Sequence, residues 1–305
     1  MKPPGKSYAQ KPVAGVAAML GFCFVVALLD ATAKYLVEQL PTLVVLWCRY
    51  AFQLVLYSLI LVTIFRKHLR AVLRTRRLKL QILRSLILVV ESGCIFAALS
   101  VLPLAETIAV SFIYPFLVAL LAVPLLGEHI GKWRLFGILF GFIGVLLVIR
   151  PGGELFHPAV LFALASAFLF ACYQVLTRRL SDADSPWTTL FYTALGGALA
   201  AGLPAMLVWE TPDPRQIALL ATIGALGLVA HGLLIIAFTY AAAALVANFG
   251  YTELIWATLL GWLFFSHLPD PVSLAGIIII AGSGLIVLWR ERRSVRAGDA
   301  PDTEP

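Results

Sequence analysis

In this chain of 305 residues, 61% are hydrophobic and only 13% charged, whereas soluble proteins carry about 25% charged residues; mean hydropathy is +0.94. One core of this size cannot hide so many apolar side chains, so lipid must cover the rest. The net charge of +7 would suit a nucleic-acid partner, but the basic residues sit in loops beside apolar segments, as membrane-orientation signals do, and that excludes nucleic acid.

Residues 1–12 form a polar, basic N-terminal tail expected in the cytoplasm. The apolar run that begins at Val13 is too long for a signal-peptide core and reads as a first permanent helix. Ten spans follow from the apolar stretches: 13–37, 43–65, 79–101, 104–126, 133–150, 157–179, 187–209, 216–240, 244–266 and 272–290. Each is about 20 residues, enough to cross about 30 Å of hydrocarbon as a helix. The breaks carry turn chemistry at Pro41, Pro103, Gly127, Pro151-Gly152-Gly153, Ser185-Pro186, Pro212 with Pro214, and Pro269-Asp270-Pro271. Residues 291–305 make a second cytoplasmic tail. The four cysteines, Cys23, Cys48, Cys94 and Cys172, lie in separate spans, form no metal-like cluster, and read as packing residues.

Lysine and arginine test the topology. With the N-terminus inside, 19 of the 23 basic residues fall on the cytoplasmic side. These are Lys2, Lys6 and Lys11, the eight from Arg66 to Arg84, Lys132 and Arg134, Arg178 and Arg179, and the four from Arg290 to Arg296. Arg150 and Arg215 are left outside, and Lys34 and Arg49 lie within spans. Such an asymmetry favours both termini in the cytoplasm and an even number of spans; the setting it suggests is a bacterial inner membrane.

Shifted by 139 residues, the later part of each half registers with the other: the stretch from Ser111 to Glu128 falls on Gly250 to His267, and Gly137 on Gly276. Residues 13–150 and 157–290 thus form two five-helix repeats. Five is odd, so the second copy enters from the opposite side, and the repeats are inverted about an axis in the membrane plane. Tyr114-Pro115, Gly127-Glu128 and the Gly137 to Gly144 pattern resemble an EamA-type half of the drug/metabolite transporter superfamily, as does the stretch from Tyr251-Thr252-Glu253-Leu254 through Pro269-Asp270 to Gly276. The resemblance spans about residues 13 to 290 and implies a ten-helix secondary transporter with a central cavity. Asp30-Ala-Thr-Ala-Lys34 and the Tyr-x-x-Glu-Leu segment resemble a branch that includes S-adenosylmethionine and riboflavin carriers. His267 departs from the pattern, standing where Glu128 stands in the first half.

An ionisable side chain at bilayer depth costs at least about 2.5–3.5 kcal/mol on insertion scales and marks a functional candidate. Asp30, Lys34, Arg49, Glu91 and Glu253 qualify. Asp30 and Lys34 share a face of the first helix, and with Arg49 they are expected to meet near the outer mouth, either as an internal salt-bridge set or as a gate that grips a substrate carboxylate. Glu91 and Glu253 lie near mid-membrane. The repeat places Glu253 where Tyr114 stands, so Tyr114, Pro115 and Glu253 are expected in the cavity wall. Either glutamate could exchange a proton, coupling transport to a proton gradient, or stay charged and hold a cationic group. The structural alternative is a glutamate hydrogen-bonded to a neighbouring helix.

Tyr50, Tyr173, Tyr192, Tyr251 and Trp256 could stack on a planar or cationic solute, and the amides of Gln174 and Asn248 could bond a ligand or another helix. His231 reads more readily as packing. Gly137, Gly141 and Gly144, with Gly276, Gly282 and Gly284, are expected to let the fifth and tenth helices approach a neighbour, as scaffold or homodimer contacts. Pro115 and Pro124 break the backbone ladder of the fourth helix, and Pro115 could serve as a hinge.

No cofactor, metal site or catalytic set is expected. There is no GxxxxGK[ST] motif and no HExxH, and the five histidines (68, 129, 157, 231 and 267) are scattered. The reading is a gradient-driven exporter or exchanger of a small polar or zwitterionic metabolite, such as an amino-acid derivative or an amine-bearing metallophore. The alternative is an importer of a planar or cationic metabolite, riboflavin-like or S-adenosylmethionine-like, and a membrane-embedded enzyme is a distant third.

Overall fold

The computed structural model describes residues 12–63, 69–126, 132–150, 157–180, 183–240 and 247–296. These residues form helices without a β-strand: α1 (Pro12–Val37), α2 (Thr42–Thr63), α3 (Leu69–Leu73), α4 (Leu78–Leu99), α5 (Leu104–Ser111), α6 (Tyr114–Leu126), α7 (Lys132–Ile149), α8 (Val160–Leu180), α9 (Pro186–Leu207), α10 (Pro214–Tyr240), a 3-10 turn (Ala247–Tyr251), α11 (Thr252–Phe265) and α12 (Pro271–Arg296). Six of them, α1, α2, α4, α8, α9 and α10, are long and apolar enough to cross a membrane. Four shorter apolar stretches, Leu104–Val118, Leu139–Ile149, Phe249–Phe265 and Pro271–Ser283, occupy the remaining expected spans. The turns expected at Gly127 and at 151–153, with Glu128, lie outside the described residues. The short α3 was not expected, and α12 runs on to Arg296, past its expected end.

Local chemistry sets the helix starts. Ser185, Asp213 and Asp270 each precede a proline at the first helical position, where the missing N–H costs nothing. Ser185 Oγ accepts from the Thr188 N–H at 3.1 Å. Asp213 Oδ1 accepts from the Gln216 N–H at 2.8 Å while Gln216 Oε1 accepts from the Asp213 N–H at 2.9 Å, a reciprocal cap. Asp270 Oδ1 accepts from the Val272 N–H at 2.9 Å and also pairs with Arg150 at the end of α7. Partial burial opposes the Asp270 charge, but hydrogen bonds from Ser273, Arg150 and the backbone hold its carboxyl well below the usual carboxylate range.

The fourth span is two helices, not the single one expected over 104–126. Pro115 has no N–H for the Ser111 carbonyl and its ring crowds that group, so the chain breaks at Phe112 and Ile113 between α5 and α6. The ninth span changes from a 3-10 turn to α11 at the corresponding place, because the 139-residue shift carries Phe112 onto Tyr251 and Tyr114 onto Glu253.

Packing follows the repeat. Helix α1 packs on α10 as α4 packs on α8. Likewise α2 packs on α10 as α4 packs on α9, and α1 on α11 as α8 on α5 and α6. The related pairs α2 with α9, α5 with α11 and α7 with α12 pack on each other. Exchanging the two halves maps this set of contacts onto itself, as a pseudo-two-fold axis requires. Outward-facing leucines such as Leu199, Leu203 and Leu207 of α9 are 71–79% exposed, a surface that only hydrocarbon solvates well. The chain is an all-α integral membrane protein of ten spans in two inverted five-helix repeats.

The glycine faces of the fifth and tenth spans meet each other. A Cβ on Gly144 would lie 2.8 Å from the Gly276 carbonyl oxygen, and one on Gly276 would lie 2.6 Å from that of Gly144. Gly141 lies against Phe116 and Ser283, whereas Gly282 has nothing within 4 Å. Gly137 is buried on the same helix; the surroundings of Gly284 are outside the described residues. Gly141, Gly144 and Gly276 thus serve contacts inside one chain.

Two cations lie elsewhere than expected. Lys34 does not join Asp30 and Arg49. It donates to the Leu99 and Leu102 carbonyls at 3.0 and 3.1 Å, meeting the orphaned carboxyl end of α4, and pairs with Glu38 at 2.8 Å. At the same end of the bundle Glu106 pairs with His267 across the two repeats at 3.1 Å. Arg84, counted above with the cytoplasmic loop, is inside α4 and only 2% exposed. Its Nε donates to Thr177 Oγ1 at 2.7 Å, Nη1 to Thr193 Oγ1 at 2.9 Å and Nη2 to the Tyr173 hydroxyl at 2.6 Å, which ties α4 to α8 and α9.

Two outcomes follow for the detergent-solubilised protein. Gly144→Ala forces a Cβ against backbone that cannot yield, so its unfolding midpoint should fall by the equivalent of about 1–3 kcal/mol, whereas Gly282→Ala should leave it unchanged. Arg84→Lys replaces a three-way fork by one ammonium and should cost about 2–3 kcal/mol in unmet buried hydrogen bonds, read by the same thermal scan.

Candidate functional site

The polar centre is built from α2, α4 and α8. Glu91 of α4 accepts from Ser166 Oγ of α8 at 2.8 Å and from Ser92 Oγ at 3.1 Å. Ser92 Oγ also accepts from Arg49 Nη1 at 2.9 Å and lies 3.0 Å from the Tyr50 hydroxyl. The Arg49 guanidinium sits 5.2 Å from the Tyr50 ring centre and 5.5 Å from that of Phe96, within range of a cation–π attraction. Arg49 makes no ion pair among the described residues; it meets Glu91 through the Ser92 hydroxyl.

Asp30 of α1 and Glu253 of α11 complete the charged set. Neither has a hydrogen bond or an ion pair among the described residues, although Asp30 is 7% exposed. The charges of Arg49 and Glu91 act on Asp30, and those of Asp30 and Glu91 act on Glu253. Glu253 stands in the first turn of α11, where the helix dipole favours an acid. Glu91, Glu253, Tyr114, Tyr251, Phe170 and His231 all keep accessible surface, so this interior is not a sealed apolar core. An apolar cleft of about 780 Å³ between α11 and α12 reaches Tyr251 and Thr252 from the lipid-facing side.

Aromatic rings run from the break in one repeat into the other. Tyr251 lies 5.5 Å from Phe112, and Phe112 lies 5.5 Å from Tyr114. Tyr114 meets the Phe170 edge at 4.8 Å, and Phe170 lies nearly parallel to Tyr173 at 5.8 Å. Arg84 caps the run, 4.4 Å from the Tyr173 ring. His231 of α10 lies within the fields of both Arg49 and Arg84.

The structure therefore brings together Asp30, Arg49, Glu91, Glu253, Tyr114 and Tyr251. It places Lys34 at the bundle end and Trp256 edge-on against Phe24 at 5.0 Å. Gln174 is half-buried on α8, Pro115 opens α6, and the Asn248 side chain lies outside the described residues. Missed from the sequence were Gln53, Ser92, Ser166, Phe112, Phe170 and Arg84. The run Glu91-Ser92 and the lone Gln53 were visible as polar interruptions of apolar stretches; the aromatic pair carried no such signal. Among the described residues no three His, Cys, Asp or Glu side chains could hold a metal ion.

Similar proteins fit this architecture. The chain is 29% identical over 266 residues to an S-adenosylmethionine uptake transporter of Rickettsia felis, covering 87% of this chain and 89% of that protein. It is 28% identical to a riboflavin transporter of Vibrio cholerae, covering 95% and 98%. It is 29% identical to a pseudopaline exporter of Pseudomonas aeruginosa, covering 61% and 66%. A crystal structure at 18% identity shares the fold with a TM-score of 0.66 over 92% of this chain and 97% of that one. The profile of the EamA-like transporter family matches residues 13–150 and 157–289, and the chain is a member of that family of membrane transporters.

Proposed function

We propose that this protein is a secondary transporter of a small amphoteric metabolite that combines a cationic centre with a planar part, moved by alternating access between its two repeats. The observation that carries this is a set of unpaired charges of both signs around one interior. Among the described residues Asp30, Glu253 and Arg49 have no ion-pair partner at membrane depth, a cost that a bound solute can offset. The acids suit an ammonium or sulfonium group, and the rings of Phe112, Tyr114, Phe170 and Tyr251 suit a flat or cationic one. A relative named for S-adenosylmethionine uptake points the same way. A second reading, a planar heterocycle such as riboflavin, draws on the aromatic run and on the riboflavin-transporter relatives.

Glu91 is fixed by two serine hydroxyls, whereas Glu253 has no such hold among the described residues. Glu253 is therefore the better carrier of a coupling proton and Glu91 the better anchor of the site. Pro115 and the matching transition at Tyr251 are the places where the fourth and ninth spans bend as the state changes. In this reading both termini face the cytoplasm, which the basic loops favour, and the bacterial relatives support an inner-membrane setting.

Vesicles containing the purified protein test this. Loaded with S-adenosylmethionine, riboflavin, amino acids or amine-bearing chelators, they should exchange a cationic or zwitterionic solute, in a direction set by the imposed pH gradient. Glu253→Gln should cut that rate at least about tenfold and flatten its pH response, since removing a mid-membrane charge removes both binding and proton exchange; Glu91→Gln should weaken exchange as well. If both variants match the parent, the site is elsewhere, and exchange of riboflavin alone would establish the second reading.

Topology has its own check. Cysteine tags at Gly153 and Asp213 should react with an impermeant reagent from outside the cell. Tags at Thr75 and Asp182 should react only after the membrane is opened.

A further inference from the structure

Arg49 and Gln53 stand one turn apart on α2, against α10. Arg49 is 8% exposed and Gln53 fully buried. Arg49 spends one nitrogen, Nη1, on Ser92. Its Nε–H, together with both the oxygen and the nitrogen of the Gln53 amide, is buried without a hydrogen-bond partner among the described residues. A buried polar group left unmet costs about 1–3 kcal/mol, more where charge is involved, so three gathered at one place call for a ligand or water.

The opposite wall is Gly227 of α10. A Cβ there would lie 3.2 Å from Gln53 Oε1, 3.7 Å from Leu29 Cδ1 and 3.8 Å from Arg49 Nε, so the missing side chain is what lets α10 come this close to the unmet groups. One turn earlier, Gly224 is closer still, because its Cβ would lie 2.6 Å from Phe52 Cβ and 3.0 Å from the Gln53 backbone nitrogen. The two helices thus pack closely at both glycines, backbone against α2 at Gly224 and against the ends of side chains at Gly227.

We infer that the pocket between Arg49, Gln53 and Gly227 is the subsite for an α-amino-acid headgroup of the transported solute, an inference that rests on the amphoteric-substrate reading above. The side-on fork of Arg49, Nε–H with Nη2–H, matches the two oxygens of a carboxylate, and the Gln53 amide N–H adds a third donor. The Gln53 carbonyl has the opposite need and accepts from the ammonium on the adjoining carbon. Asp30, whose field reaches Arg49, balances that charge. Whichever way the amide is turned, it offers one donor group and one acceptor. The fork nitrogen and the amide are sealed in this conformation, so the headgroup reaches them as α10 draws back from α2, a movement of the kind alternating access demands.

Matched probes test the subsite on the full chain purified in detergent, with affinity read from ligand-induced shifts in unfolding temperature. The pairs are S-adenosylmethionine against its decarboxylated form, and methionine, arginine, histidine and tryptophan against the amines left when each loses its carboxylate. For the pairs that bind, loss of the carboxylate should weaken binding at least about tenfold, because it leaves buried donors unmet. Gly227→Ala, whose Cβ meets only the ends of side chains, crowds the Gln53 amide and narrows the subsite. Gln53→Glu places a carboxylate of the protein itself beside the fork. Both should collapse the ratio towards one. Equal affinities within every pair, or an unchanged ratio in both variants, would mean that the pocket holds water alone. Amine binding that responds to Glu253→Gln but ignores the carboxylate would overturn the subsite and leave the proposed function standing; failure of every probe to bind would remove both.

Discussion

A guanidinium in hydrocarbon needs an acceptor, and here a single serine hydroxyl provides one. Ser92 Oγ has one proton and two lone pairs. Its proton goes to Glu91, while Arg49 Nη1 and the Tyr50 hydroxyl approach the lone pairs. Arg49 and Glu91 are therefore joined through a neutral group instead of neutralising each other by contact. A direct pair would have closed the site on itself. The relay fixes both charges in position and leaves most of the guanidinium without a partner among the described residues, and Asp30 and Glu253 nearby are likewise without one there.

The interrupted spans complete the arrangement. Irregular backbone at membrane depth is tolerated where it is buried in protein or lines a wet space, and each repeat places its irregular segment at the same point. At one, Pro115 ends the ladder and α6 begins at Tyr114; at the other, α11 begins at Thr252 with Glu253 beside it. Each break presents a helix N-terminus, whose dipole is positive, to a centre that holds three carboxylates. The opening of α11 next to Glu253 thus supplies electrostatic support that no described side chain gives.

The spans, the two-repeat plan and the interior position of Glu91, Glu253 and Tyr114 were legible because they depend on period, proline and the cost of charge, all of which act locally. Lys34 and Arg84 were not. Both are basic residues near helix ends, where snorkelling or a loop position is the ordinary outcome. What each does depends on partners far along the chain: the last carbonyls of α4 for Lys34, and three hydroxyls on α8 and α9 for Arg84. Gln53 was passed over for a related reason. What marks it is the lack of a hydrogen-bond partner among the described residues, and a sequence cannot show an absence of contact. Phe112 and Phe170 were lost among other phenylalanines, since nothing in an apolar run tells a ring that faces lipid from one that stacks on Tyr114.

Symmetry of scaffold and asymmetry of site serve different needs. Contacts that survive exchange of the halves allow two conformations of similar energy, one open to each side, and a transporter that must visit both requires that balance. The side chains inside obey no such exchange. Tyr114 occupies in one repeat the place of Glu253 in the other, and the fork of Arg49 faces a glycine on α10. In the proposed site, a solute entering from either side meets acids from α1, α4 and α11 and a cation from α2, in a fixed arrangement. It can satisfy them in one orientation, whichever way the bundle happens to be open. The repeat equalises the two states of the protein, and the departures from the repeat decide what the protein can hold.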